Sequence, residues 1–143
     1  MRVFFDASVI IAALLSPSGG SSQLLKYIKL AKIVGITSQT VIEEIVEEDK
    51  FIRIKKSKRE IEQFVVDSRL IVRKPITTGE IEPYQGLVEI EDAHLIAGAN
   101  LTRCQYLVTL DKKHLLRPDV QKRFLPLKIV SPGELLRELV LEK

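Results

Sequence analysis

The sequence predicts an α/β domain: a five-stranded parallel sheet with helices on both faces. Three observations carry this. Five short apolar runs alternate along the chain with stretches of helical period. The runs are nearly continuous in apolar character, as strands covered on both faces are. A chain of 143 residues, 45% hydrophobic and 29% charged, suits one soluble domain with a real core. No repeat, low-complexity tract or long linker divides residues 1–143, so a single domain is expected.

The first element is Arg2-Val3-Phe4-Phe5, a strand that ends on the lone carboxylate Asp6. Val9-Ile10-Ile11-Ala12-Ala13-Leu14-Leu15 follows, long enough for two helical turns, with Ser8 suited to cap it. The segment superficially resembles a signal peptide. Asp6 interrupts it and no convincing small-x-small cleavage site follows, so strand plus helix is expected. No apolar run approaches the roughly 18–20 residues that cross a bilayer. Pro17 and neighbouring Gly and Ser residues break the chain over residues 16–22. Leu24, Leu25, Ile28, Leu30 and Ala31 then recur at helical spacing, with Lys26, Lys29 and Lys32 on the outer face.

Ile33-Val34-Gly35-Ile36 is the second strand, and Thr37-Ser38 caps a helix with Val41, Ile42, Ile45 and Val46 inward. From Lys50 to Arg59 the chain is basic, with Lys50, Arg53, Lys55, Lys56, Lys58 and Arg59 and no acid after Lys50 until Glu60. A helix with Ile61, Phe64 and Val65 inward leads to a third strand, Leu70-Ile71-Val72. Residues 77–86 are expected to be loop, punctuated by Gly79, Pro83 and Gly86, with a helix from Leu87 to about Leu101. The fourth strand is Tyr106-Leu107-Val108-Thr109. A short connector limited by Pro118 leads to the fifth, Leu127-Lys128-Ile129-Val130. Ser131-Pro132-Gly133-Glu134 opens the last helix with a capping box, and Leu135, Leu136, Leu139 and Val140 face inward.

The functional signal is a set of acids. Asp6 and Asp111 both follow strands, at the sheet edge where open α/β folds bind ligands. Asp92 shares a helical face with Leu95, Ile96 and Ala99, where a carboxylate is either an N-cap or a buried group with a partner. Glu43 and Glu44 flank the apolar face of their helix symmetrically, so periodicity does not choose between them. Two bare carboxylates at about 4 Å repel by roughly 4 kcal/mol at an effective dielectric of 20. Several together need protons or a cation. There is no Cys or His pair of zinc type, so oxygen ligation points to Mg²⁺ or Mn²⁺. Carboxylate-held divalent ions are a standard device for phosphodiester hydrolysis.

These residues in this order resemble the PIN domain, the metal-dependent ribonuclease fold of VapC-like toxins and RNA-processing nucleases. The resemblance rests on Phe4-Phe5-Asp6-Ala7-Ser8, Ser38-Gln39-Thr40-Val41-Ile42-Glu43-Glu44-Ile45, Asp92-Ala93-His94-Leu95-Ile96-Ala97, Leu107-Val108-Thr109-Leu110-Asp111 and Ile129-Val130-Ser131-Pro132-Gly133-Glu134. It implies a three-layer α/β/α sandwich with a twisted, parallel five-stranded sheet. It also implies a catalytic, metal-binding set of Asp6, Glu44, Asp92 and Asp111, supported by Ser8 and Thr109. Many members carry an acid where this chain has Lys113, which is expected to be exposed. His94 is expected on the surface and His114 in a loop.

The implied activity is endoribonuclease cleavage by a metal-activated water, in a toxin–antitoxin pair or an RNA-processing enzyme. Partners would be RNA, an antitoxin protein and further copies of the chain, as a homodimer or larger homo-oligomer. Contact surfaces for such copies are sought at Leu24–Lys32 and Lys50–Phe64. The basic run Lys50, Arg53, Lys55, Lys56, Lys58 and Arg59, with Lys113, is a candidate for RNA backbone contacts. The net charge of +3 permits nucleic acid without requiring it. Few aromatics and no Trp argue against a large stacking platform. A single cysteine, Cys104, leaves no internal disulfide, so a reducing, cytoplasmic setting is expected. The alternatives are a non-catalytic PIN-like domain that binds RNA or a protein, and a phospho-acceptor receiver. The receiver lacks its paired acids at the first strand end and its lysine at Ser131. A phosphatase of Asp-x-Asp type fails at Ser8.

Overall fold

The computed structural model describes residues 1–52 and 54–141, with the side chains of residues 48–52 outside the description. Strands β1 (Arg2–Phe5), β2 (Val34–Ser38), β3 (Ile71–Arg73), β4 (Tyr106–Val108) and β5 (Lys128–Val130) form one parallel sheet in the order β3-β2-β1-β4-β5. The chain builds outward from β1 through β2 to β3, then returns to the other side of β1 for β4 and β5. The strand order therefore reverses between β1 and β4, where Phe4 pairs with Leu107 and Phe5 with Val108. Phe4, Phe5, Leu107 and Val108 are fully buried, as central strands covered on both faces require.

The helices are α1 (Ala7–Leu15), α2 (Gly20–Lys29), α3 (Gln39–Ile52), α4 (Lys58–Asp67), α5 (Thr78–Ile81), α6 (Ala93–Leu101), α7 (Pro118–Arg123) and α8 (Pro132–Leu141). Helix α1 packs on α2 and α3, and α2 on α8, while α6 lies across β1 and β4 with α5 against it. Among the described residues, no single helix is long and apolar enough to cross a membrane. The Ser38 hydroxyl accepts from the Val41 N–H at 3.1 Å, and Ser131 and Glu134 exchange capping bonds at 3.2 and 3.3 Å.

The end of α2 differs from expectation. Leu30 is exposed and Ala31 takes φ 58°, so α2 stops at Lys29 rather than continuing its apolar face. Arg69 and Arg103 adopt the same left-handed geometry after α4 and α6 (φ 62° and 57°). In all three, the next residue donates back across the last turn: Lys32 to Tyr27, Leu70 to Val65 and Cys104 to Ala99. This is the Schellman pattern, built without the glycine that would have signalled it.

Residues 77–86 are not simply loop. Thr77 and Glu80 form a capping box around α5, and Arg73 grips Glu80 through two bonds of 2.9 and 2.6 Å. That pairing holds the Glu80 carboxyl down at about 2. The helix expected from Leu87 begins only at Ala93, after a 3₁₀ turn at Ile90–Asp92. Pro118 opens α7 rather than ending a connector, consistent with its fixed φ at a first helical position. Val140 is exposed.

Candidate metal centre at the carboxyl edge of the sheet

Asp6 stands where β1 gives way to α1. Its N–H donates to the Val108 carbonyl at 3.1 Å, which ties it to the end of β4. Its side chain is only 8% exposed. Thr109 donates to Asp6 Oδ2 at 2.6 Å and Ser8 donates to the same oxygen at 3.0 Å. The two hydroxyls also accept backbone bonds, Thr109 from Asp111 N–H and Ser8 from Leu110 N–H, both at 3.1 Å. Thr109 and Ser8 thus fix Asp6 and the loop carrying Asp111 to each other. Burial raises the Asp6 pKa; the Thr109 and Ser8 bonds oppose the rise and the Glu44 charge adds to it.

Asp92 occupies the N-cap position of α6, yet its side chain makes no capping hydrogen bond. The carboxylate is left for another use. Its pKa is pushed up to about 6, by burial first and then by the charges of Asp111 and Asp6, against the pull of His114 and His94. Asp111 is half-buried, with Oδ1 accepting from the N–H groups of Lys113 and His114 at 3.1 and 3.0 Å. Its other oxygen lies 3.4 Å from His114 Nδ1. Asp92, Asp111 and His114 each present a ligand atom within 4.8 Å of the others. Two carboxylates gathered beside an imidazole fit a divalent cation, and the largely oxygen donor set suits Mg²⁺ or Mn²⁺.

Glu43 is exposed, whereas Glu44 is half-buried, with Oε1 against His94 Nε2. Periodicity left this pair open; in the fold Glu44 is the one turned inward, against His94. His94 is the main correction here. It was expected on the surface and is 7% exposed. Every residue from Ala93 to Ala99 is buried, and His94 lies against Glu44 of α3. Gly98 lets α6 press onto β1: a Cβ there would meet the Phe4 ring at 2.7 Å.

The structure brings Asp6, Asp92 and Asp111 into one electrostatic group, with Glu44 reaching it through Asp6 and His94. His114, treated as a loop residue in the sequence, joins the ligand cluster. Its position three residues after Asp111 was the available signal. Lys113 is exposed. Lys55, Lys56, Lys58 and Arg59 are exposed where α4 begins, Lys56 at 4.0 Å from Glu60. The Lys50 side chain and Arg53 lie outside the described residues.

Residues 2–113 match the family model for the PIN domain. No curated protein sequence matches significantly. Among solved structures, the chain is similar to PAE2754 from Pyrobaculum aerophilum, at TM-score 0.64 and 17% identity over 99% of this chain and 90% of that one. It is similar to VapBC2 from Rickettsia felis, bound to a DNA fragment from their promoter (TM-score 0.63, 16% identity, 92% and 98% coverage). It is also similar to VapC20 of Mycobacterium tuberculosis, a sarcin-ricin-loop-cleaving toxin (TM-score 0.55, 16% identity, 78% and 91% coverage). With the family model spanning most of its length and the fold agreeing, this chain belongs to the PIN domain family.

Proposed function

We propose that this chain is a divalent-metal-dependent endoribonuclease of toxin–antitoxin type. The observation that carries the reading is Asp92: an N-cap carboxylate with no capping bond, gathered with Asp111 and His114. Membership of the PIN family and the likeness to a toxin that cleaves RNA support ribonuclease over a purely binding role. The likeness to VapBC2 supports an antitoxin protein as partner. We assign Asp6, Glu44, Asp92 and Asp111 as the acidic set, with His114 added as a ligand. A divalent cation held there supplies Lewis-acid activation of water and charge neutralisation at the phosphoryl oxygens. Ser8 and Thr109 hold Asp6 aimed, and their bonds oppose the rise in its pKa that burial causes. His94 holds Glu44, which orients the acid that comes from α3.

The test is thermal unfolding with and without Mn²⁺, beside cleavage of single-stranded RNA. A ligand bound only to the folded state stabilises by about 2.7 kcal/mol at a hundred times its Kd. Mn²⁺ should raise the wild-type midpoint, and Asp92→Asn should remove both that rise and the cleavage. Equal midpoints with and without Mn²⁺ at millimolar levels, together with intact RNA, would defeat the reading.

A further inference from the structure

A cavity of about 460 Å³ opens beside the acids, lined by Leu87, Ile90, His114, Arg117, Asp119 and Arg123 among others. His114 belongs both to this cavity and to the ligand cluster, so a polymer lying across the acids passes its mouth. The wall is preformed. Arg123 Nη1 donates to the Leu87 carbonyl at 2.6 Å, tying the segment before α6 to α7. A site held in shape before binding loses less ordering entropy on contact.

The lining has two kinds of group. Leu87 and Ile90 are 43% and 77% exposed, aliphatic side chains left in the open on either side of Val88 and Glu89. Arg117 and Asp119 form a two-point pair, Nε to Oδ1 at 3.1 Å and Nη2 to Oδ2 at 3.3 Å. A guanidinium already neutralised by a carboxylate is a poor phosphate trap. Together the pair presents donors and acceptors side by side, which matches the edge of a nucleobase, while the aliphatic groups match its flat face. Unpaired RNA is read in this way, by base edges and base faces rather than by the backbone.

We infer that this cavity is a nucleobase subsite, which receives one base of single-stranded RNA flanking the scissile phosphate and sets sequence preference. The inference rests on the proposed ribonuclease reading. It is tested by binding of short oligoribonucleotides in which each position carries each of the four bases in turn. Ca²⁺ replaces the catalytic ions, and RNA integrity is checked on a gel. The wild type should prefer one base at one position by about tenfold, and Ile90→Ser and Arg117→Ala should reduce that preference to about twofold or less. Both variants should keep the wild-type rise in midpoint with Mn²⁺. Equal affinity for all four bases at every position overturns the inference, as does a preference that survives both substitutions. A uniform loss of affinity in Arg117→Ala also overturns it, since that marks a backbone contact. Cleavage of RNA in Mn²⁺ is run in parallel. Cleavage without base preference removes the subsite and leaves the nuclease; base preference without cleavage does the reverse.

Discussion

Asp6 and Asp92 are both aspartates at the carboxyl edge of the sheet, and the fold treats them in opposite ways. Asp6 is buried at a strand end, with two hydroxyls on one of its oxygens. Asp92 is half-buried at a helix start and makes no capping bond. One is fixed by hydrogen bonding, the other by where its helix lies on the sheet. The contrast separates two ways of holding a like-charged cluster together, and each way has its own point of failure.

The hydroxyl route is broken most severely by Thr109→Val, which keeps the shape and removes the 2.6 Å bond to Asp6. A buried carboxylate that loses its main donor should cost about 2–3 kcal/mol of stability, read by denaturant unfolding. The Asp6 pKa should rise further, since that bond is the largest influence lowering it. The packing route is broken by Gly98→Ala. Its Cβ would stand 2.7 Å from the fully buried Phe4 ring, so α6 must shift away from β1. Overpacking of this kind costs about 1–3 kcal/mol. The midpoint should fall, and Mn²⁺ affinity should fall with it, because Asp92 moves with α6.

A smaller effect comes from proton uptake. The Asp92 pKa of about 6 lies above its ordinary value of 3.8, so the folded state takes up this proton more readily than the unfolded chain. The carboxylate therefore destabilises the metal-free fold fully above about pH 6 and not at all well below pH 4, so its contribution falls as pH rises between them. The penalty is about 1 kcal/mol once solvent screening of a partly exposed group is allowed for. Asp92→Asn should flatten this part of the pH–stability curve in EDTA. The smallest change is Arg103→Gly, at the far end of α6 where φ is 57°. Relief of left-handed strain, less the added freedom of the unfolded chain, should stabilise by about 0.5 kcal/mol without altering Mn²⁺ affinity. A shift in metal binding there would mean that Asp92 responds to the whole helix and not only to its contact with Phe4.

The strands and the strand-end acids were legible because both follow from local pattern: apolar runs buried on two faces, then Asp6 and Asp111 directly beyond them. Glu44 was not separable from Glu43 by period alone, since the two sit symmetrically about one helical face. His94 was misplaced because a helical wheel assumes one wet face. That assumption fails at α6, where Glu44 of α3 lies against His94. The end of α2 was hidden because Ala31 takes a conformation that sequence rules reserve for glycine.

The bond from Thr109 to Asp6 joins residues 103 positions apart. The carboxylate at the end of β1 is therefore clamped only once a segment far along the chain has docked. A growing chain that stops short of β4 has Asp6 but neither Thr109, Asp111 nor His114. The acidic cleft thus comes into being only when β4 slots in beside β1. A chain in which β4 has not docked holds Asp6 and Asp92 without an assembled site.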